Sequence, residues 1–223
     1  DELGNEIWTR NYGSSERDLA TSVLETEDGG FVVTGSTETG GNSSTLLWVF
    51  KVSASGDEEW AHLIDGAASK GAFRLARSGD GAFGIVGYAK TIQVEASDML
   101  FVRTDASGDM LRQVVLHENA IGTGIAHTSD GGFILCGYTE PLGFDASDIV
   151  FVKVDRDGNE EWKRIIGGSR MDRARSVAAL SNGGYILTGS TQSYGSGNQD
   201  LLIIKTDASG AYRFDKLALK TYS

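Results

Sequence analysis

Half of the chain's twelve arginines fall in three short stretches: Arg17, then Arg74 and Arg77, then Arg170, Arg173 and Arg175. Lys70 and His127 occupy comparable places. The rest of the 223-residue chain is acidic, with 20 basic against 31 acidic residues and a net charge of −11. A guanidinium offers a planar fork of donors that suits carboxylates, sulfates and phosphates. Gathered cations in a negative chain therefore point to a small anion or acidic ligand. The competing expectation is internal pairing with Asp18, Asp172 and Glu25. Tyr88, Tyr138 and Tyr194, with Phe144, punctuate long polar segments and offer flat faces on which a sugar can stack.

Reaction motifs are not evident. A hydrolytic triad needs a nucleophile, a histidine and an acid that converge. His62, His117 and His127 have no shared spacing, and no G-x-S-x-G elbow occurs. No Cys/His cluster suggests zinc, and no glycine-rich loop opens a helix to cradle phosphate. The single cysteine, Cys136, excludes an internal disulfide framework and reads as a buried thiol. Asp155, Asp157 and Asn159, followed by Glu161, alternate oxygen ligands like the opening of a calcium loop. The matching segments "SASGDEE", "DASGDM" and "DASGAY" mostly lack those ligands, so a hairpin turn is the favoured reading. Asp98, Asp148 and Asp200 recur before apolar runs, and Asp18 and Asp172 precede others; both sets read as turn and backbone acceptors. Carboxylates are plentiful, but spacing singles out no Asp/Glu pair for glycoside hydrolysis.

The elements that must hold these residues repeat. An aromatic after a turn recurs at Phe31, Phe83, Phe133 and Tyr185, at intervals of 52, 50 and 52 residues. A later glycine follows at Gly35, Gly87, Gly137 and Gly189, and a basic residue ends an apolar run at Lys51, Arg103, Lys153 and Lys205. Turn glycines Gly4, Gly56, Gly108, Gly158 and Gly210 are followed four positions on by Trp8, Trp60, Arg112, Trp162 and Phe214. Each unit holds four short β-rich runs bounded by Gly, Asn, Asp and Ser, as in "DLATSVLET", "FVVTGST", "LLWVFKV" and "EEWAHLI". Four strands per roughly 50 residues make a propeller blade. The expected fold is all-β, a β-propeller of four four-stranded antiparallel blades in one domain, residues 1–223. Units run approximately 13–64, 65–116, 117–166 and 167–219, and residues 4–12 form an extra outer strand. That N-terminal strand is expected to pair with the strand at 200–206 and close the ring, leaving the tail 211–223 to lie on the rim or add to another chain. Half of a larger propeller is the alternative. Small residues, Ala20, Ala72, Gly122 and Ala174, are expected on the crowded innermost strands. Arg112, standing where other units carry tryptophan, marks the least well packed outer edge.

The segments "YGSSERDLATSVLETEDGGFVVTGST" and "GGSRMDRARSVAALSNGGYILTGSTQSYGSGNQDLLIIKTDASG" resemble the β-propeller repeats of secreted bacterial and archaeal proteins. The portion "KVDRDGNEEW" is more distantly similar to the ends of quinoprotein-type blades. The resemblance covers nearly the whole chain. It implies blades and an exported or cell-surface setting, and it implies no reaction.

The acidic balance excludes sequence-independent nucleic-acid binding. No apolar run approaches the roughly 18–20 residues of a membrane span. No basic-then-apolar leader opens the chain, so an extracellular or cell-surface protein with its signal removed is expected. The leading functional expectation is a non-catalytic binding or scaffold propeller. It would recognise a glycan, an anionic ligand or a protein through its long-loop face. The candidate ligand-binding residues are Arg17, Arg74, Arg77, His127, Arg175, Tyr88, Tyr138 and Tyr194. The alternatives are a polysaccharide-acting enzyme using an Asp/Glu pair, and a self-associating subunit of a surface layer or filament.

Overall fold

β-branched and aromatic residues set in alternation give each run two faces, and an interior blade must cover both. The computed structural model describes residues 2–39, 44–65, 69–90, 96–140, 146–195 and 198–212. All its regular structure is strand. Blade one contains β1 (Asp18–Glu25), β2 (Phe31–Thr39), β3 (Ser44–Val52) and β4 (Glu58–Ile64). Blade two contains β5 (Ser69–Arg77), β6 (Phe83–Lys90), β7 (Asp98–Thr104) and β8 (Met110–His117). Blade three contains β9 (Ala120–His127), β10 (Phe133–Thr139), β11 (Ile149–Val154) and β12 (Glu160–Ile166). Blade four contains β13 (Asp172–Ala179), β14 (Tyr185–Thr191) and β15 (Asp200–Thr206). Every sheet is an antiparallel meander in chain order.

The blades stack face on face, and each seam is one core. Leu24, Val32, Leu47 and Val49 of blade one meet Leu75, Phe83, Ile85 and Leu100 of blade two. Val86, Met99 and Phe101 of blade two meet Phe133, Leu135 and Val150 of blade three. Ile134, Ile149 and Phe151 of blade three meet Val177, Leu187 and Leu202 of blade four. Fully burying one such side chain contributes roughly 1.5–3 kcal/mol, so these seams dominate the stability. Cys136 lies in the third seam, and burial pushes its thiol up to about 12, which leaves it inert as expected.

The recurrent glycines have a backbone cause. Each innermost strand carries a bulge, with Thr21, Phe73, Thr123 and Arg175 as the extra residues. The bulge presses the inner strand onto its neighbour. A Cβ at Gly35, Gly87, Gly137 or Gly189 would overlap the carbonyl oxygen of Leu19, Gly71, Ile121 or Arg173. The bulge hydroxyls of Thr21 and Thr123 each donate to the next blade's inner strand, at Ala72 O and Ala174 O, both at 2.8 Å.

The basic residue ending each third strand is a clamp. Lys51 pairs with Asp28 and with Glu59 at 2.6 Å, and Arg103 pairs with Asp80 at 2.9 Å. Lys153 is buried and meets Asp130 at 2.8 Å and Glu161 at 2.9 Å. Burial pushes the Asp130 carboxyl upward, but the Lys153 ammonium and hydrogen bonds from Thr128 and Gly132 outweigh it and hold the group at about 2. In blade four Asn182 replaces the aspartate, and Lys205 is exposed.

Residues 4–12 depart from expectation. They form no strand, and among the described residues nothing pairs with the outer edge of β15. The segment instead lies on blade one: the Trp8 indole donates to Ala54 O at 2.9 Å, and the Tyr12 hydroxyl donates to Gly56 O at 2.5 Å. Tyr12 also stacks near Phe50, with ring centroids 5.2 Å apart. Trp8 covers turn glycine Gly56 as Trp60 covers Gly108 and Trp162 covers Gly210. The tryptophan repeat therefore marks a contact with the following blade's turn, which holds whether or not the segment pairs as a strand. Arg112 lays its stem over Gly158 in the same way. It is exposed where Trp60 and Trp162 are half-buried, making that edge the more open one. Phe214 and the residues after 212 lie outside the described residues.

Replacing Lys153 by Ala removes the buried ammonium shared by two half-exposed carboxylates and should cost about 1–2 kcal/mol in urea titrations near neutral pH. Lys205→Ala should change stability by less than about 0.5 kcal/mol. A lowered carboxyl stabilises above its unfolded value and loses that contribution as pH falls through the folded one. The penalty for Lys153→Ala should therefore shrink as pH falls from 3.8 toward about 2.

Candidate functional site

Antiparallel succession assigns the loops to two faces. Innermost strands begin, and second strands end, on one face, which therefore gathers the long loops and the segments preceding each blade. The other face carries the tight Asp/Gly turns. At the latter, Asp155 Oδ1 accepts from the backbone N–H groups of Asp157 and Asn159, both at 2.8 Å, and its Oδ2 accepts from Asn159 Nδ2. Asp105 and Asp207 organise equivalent turns. The segment Asp155, Asp157 and Asn159, which superficially resembles a calcium loop, is thus built as the favoured turn, with Asp155 accepting from the turn's own backbone. Among the described residues no three His, Cys, Asp or Glu side chains are grouped to hold a metal ion, and no helix is long and apolar enough to cross a membrane.

The sequence-derived candidates divide between the faces. Tyr88, Tyr138 and Tyr194 lie at the long-loop end, and Arg17 precedes β1 there. Arg74 and Arg175 sit midway along innermost strands. Arg77 and His127 are the last residues of β5 and β9, at the tight-turn end. Strand rise of about 3.3 Å per residue carries Arg77 roughly 10 Å beyond Arg74. There Arg77 pairs with Glu27 at 2.9 Å, and His127 packs on Phe133 and accepts from Gly79 N at 3.4 Å. These two do not join the others. Phe144 falls outside the described residues.

Internal pairing holds for Arg77, but its partner is Glu27, which the sequence reading did not weigh. It does not hold for Arg17, Arg74, Arg173 or Arg175, none of which forms an ion pair with another described residue. Asp18 accepts from Ser14 N at 2.7 Å. Asp172 is fully buried and accepts from Thr191 Oγ1, Ser193 Oγ and Gly168 N, at 2.5, 2.6 and 2.9 Å. Asp172 is thus engaged through both oxygens in ordering its loop, and Asp18 through Oδ2 alone. At the corresponding place in blade two, buried Lys70 does the reverse and donates, to Asp65 O and to Gln113 Oε1 at 3.2 Å.

What the fold brings together is a patch at the seam of blades three and four. Arg173 and Arg175 lie over one Tyr138 ring, their guanidinium carbons 4.7 and 5.5 Å from its centroid. Such contacts orient the fork without neutralising it. Arg173 is held further by Ser147 Oγ at 3.1 Å, and Arg175 is exposed at its bulge. In blade two, Tyr88 packs against the bulge residue Phe73, with centroids 5.7 Å apart. Tyr194 is fixed differently, its hydroxyl donating to Gly167 O at 2.6 Å.

Asp148, next to Ser147, is the residue whose character sequence reasoning missed. Its Oδ1 is buried against Gly167 without a hydrogen-bond partner. Burial, and then the charge of Asp172, push its carboxyl above the usual range. Asp98 and Asp200 repeat it in sequence. The second carboxylate reaches Asp148 because stacking seats the 167–172 loop against blade three, with Asp172 N donating to Ser147 O at 2.5 Å.

No family model and no curated protein matches the chain. Solved structures do. The chain is similar to an α-L-arabinofuranosidase of Fusarium graminearum in complex with an iminosugar inhibitor, at 13% identity and a TM-score of 0.56. The match covers 86% of this chain and 63% of that one. An α-L-arabinofuranosidase of the same fungus bound to arabinobiose matches at 14% identity and a TM-score of 0.54, covering 86% and 64%. The fold is a β-propeller. The chain spans less than two thirds of either neighbour's length, and at this identity the likeness concerns fold alone.

A carboxyl raised in the folded state favours folding only while protonated. Stability should therefore drop as pH rises from the ordinary carboxylate range through the raised value, and stay lower above it. Asp148→Asn removes that cost. Its melting temperature should exceed that of the wild type at neutral pH and match it near the acid end, about pH 3, in calorimetric scans.

Proposed function

We propose that this chain is a carbohydrate-recognising propeller that takes an acidic glycan on its long-loop face, at the seam of blades three and four. The observation carrying this reading is the pair Arg173 and Arg175 over Tyr138, two oriented cations with no carboxylate paired to them among the described residues. A sugar ring stacks on an aromatic face while a uronate or sulfate takes the guanidinium donors. Arg74 and Arg17 extend the positive surface toward blade one, and Tyr88 and Tyr194 flank it on the same face. The long acidic exterior steers anions away from other surfaces and leaves this one attractive. Sugar ligands in the two similar folds are compatible with a glycan partner.

Catalysis is the second reading, and Asp148 is what favours it. A carboxyl kept protonated above its usual range has the property of a general acid. Asp172, its charged neighbour, is fully enclosed and hydrogen-bonded on both oxygens. Among the described residues no other carboxylate stands beside Asp148, and recognition is preferred.

Isothermal titration with an oligogalacturonate and with an uncharged arabino-oligosaccharide separates these readings. The acidic ligand should bind, and more weakly as salt rises. Arg175→Ala and Tyr138→Ala should each lower its affinity about tenfold or more, with melting temperatures little changed. Arg112→Ala, on the outer edge, should leave it unaltered. Equal binding of both sugars would contradict the anionic reading. Release of reducing ends, abolished by Asp148→Asn, would replace recognition with catalysis.

A further inference from the structure

Each seam joins an end face of one blade to a start face of the next, and the same positions serve each time. On the end face, Leu47, Met99 and Ile149 are equivalent, as are Val49, Phe101 and Phe151, and all six are buried. The matching residues of blade four are Leu201 and Ile203, which are 73% and 56% exposed. On the start face, Leu75 and Val177 are 7% and 8% exposed, whereas the equivalent Val23 of blade one is 64% exposed. Ala20 is exposed where Ala72 and Ala174 are buried. The chain thus carries both halves of a fourth seam, and the halves do not cover each other.

From this we infer that a second copy of the chain supplies the cover: the start face of its blade one docks on the end face of blade four. Two copies joined twice in this way close a ring of eight blades. The three internal seams show that such a joint packs, since the same positions make it. The halves are complementary in kind, and neither matches itself, so the contact is head-to-tail and closes by rotation. No leftover edge then remains for further growth.

The N-terminal segment fits the same joint. Trp8 touches Gly56 of blade one as Trp60 and Trp162 touch the turn glycines of the blades that follow them. Those tryptophans stand on outer strands that pair with the third strand of their own blade, Trp60 opposite Lys51 and Trp162 opposite Lys153. A blade four seated on the start face of blade one therefore brings β15 alongside residues 5–11, with Lys205 opposite Trp8. In the dimer residues 5–11 of each copy take the outer place beside the other copy's β15. The expected closing strand is kept, but it acts between copies.

Sedimentation velocity on the full chain, at concentrations spanning micromolar to about a hundred micromolar, tests this. The wild type should reach twice the monomer mass. Ile203→Glu and Val23→Arg each alter an already exposed position, so both should fold, with unchanged circular dichroism, and both should sediment as monomers. Mixing the two variants should restore dimer, because one joint then has two native faces and the other sets the two introduced charges, of opposite sign, against each other. A monomeric wild type would overturn the proposal, as would a dimer that survives either substitution. Failure of the mixture to reassociate would do the same, since an arrangement of like face on like face predicts it.

Discussion

A blade of this protein cannot be stable by itself, because its sheet is apolar on both sides. Everything else follows from covering those sides. Leu, Val, Ile and Phe at equivalent positions of successive blades interlock in three seams, each of them a core in its own right. The chain has no other large apolar core among its described residues. Stability is thus a sum of neighbour contacts, as in other repeat architectures, and the terminal blades are where the sum is incomplete.

The bulge on each innermost strand is the second device. It inserts one residue where the strand crowds the axis, and glycine on the neighbouring strand makes room for the backbone that is displaced. The inserted residue is also the one freed to do something other than pack. As threonine it ties its blade to the next one. As Phe73 it supports Tyr88. As Arg175 it puts a charge over Tyr138. One backbone irregularity therefore produces structural links in some blades and candidate chemistry in others.

Charge is divided along the same lines. The cations that end the third strands are consumed by clamps: Lys51, Arg103 and Lys153 each hold a turn aspartate, and the two lysines also hold an outer-strand glutamate. The aspartates that order the loops accept from hydroxyl and backbone groups. The arginines midway along the innermost strands are left over, and they can meet an anion from solution without first breaking a salt bridge. In an acidic protein this leftover set has an influence beyond its number.

The sequence by itself determined the blades. Intervals of about 50 residues between Phe31, Phe83, Phe133 and Tyr185 report a local matter, four strands and their turns, and local chemistry is repeated wherever the unit is repeated. Strand limits, the turns and the inert Cys136 were legible for that reason. Contacts between blades were not, because they depend on which residues stacking brings together. Arg77 and Arg74 look alike in sequence, yet strand rise separates them and gives Arg77 to Glu27. Asp98, Asp148 and Asp200 look alike as well, yet it is Asp148 that has the charge of Asp172 pressed against it. Trp8 keeps its place in the sequence repeat, but its contact with Gly56 was visible only in the structure, and the pairing of its backbone depends on what covers β15. A repeat records what every unit does, and the differences between units are settled by their neighbours in space.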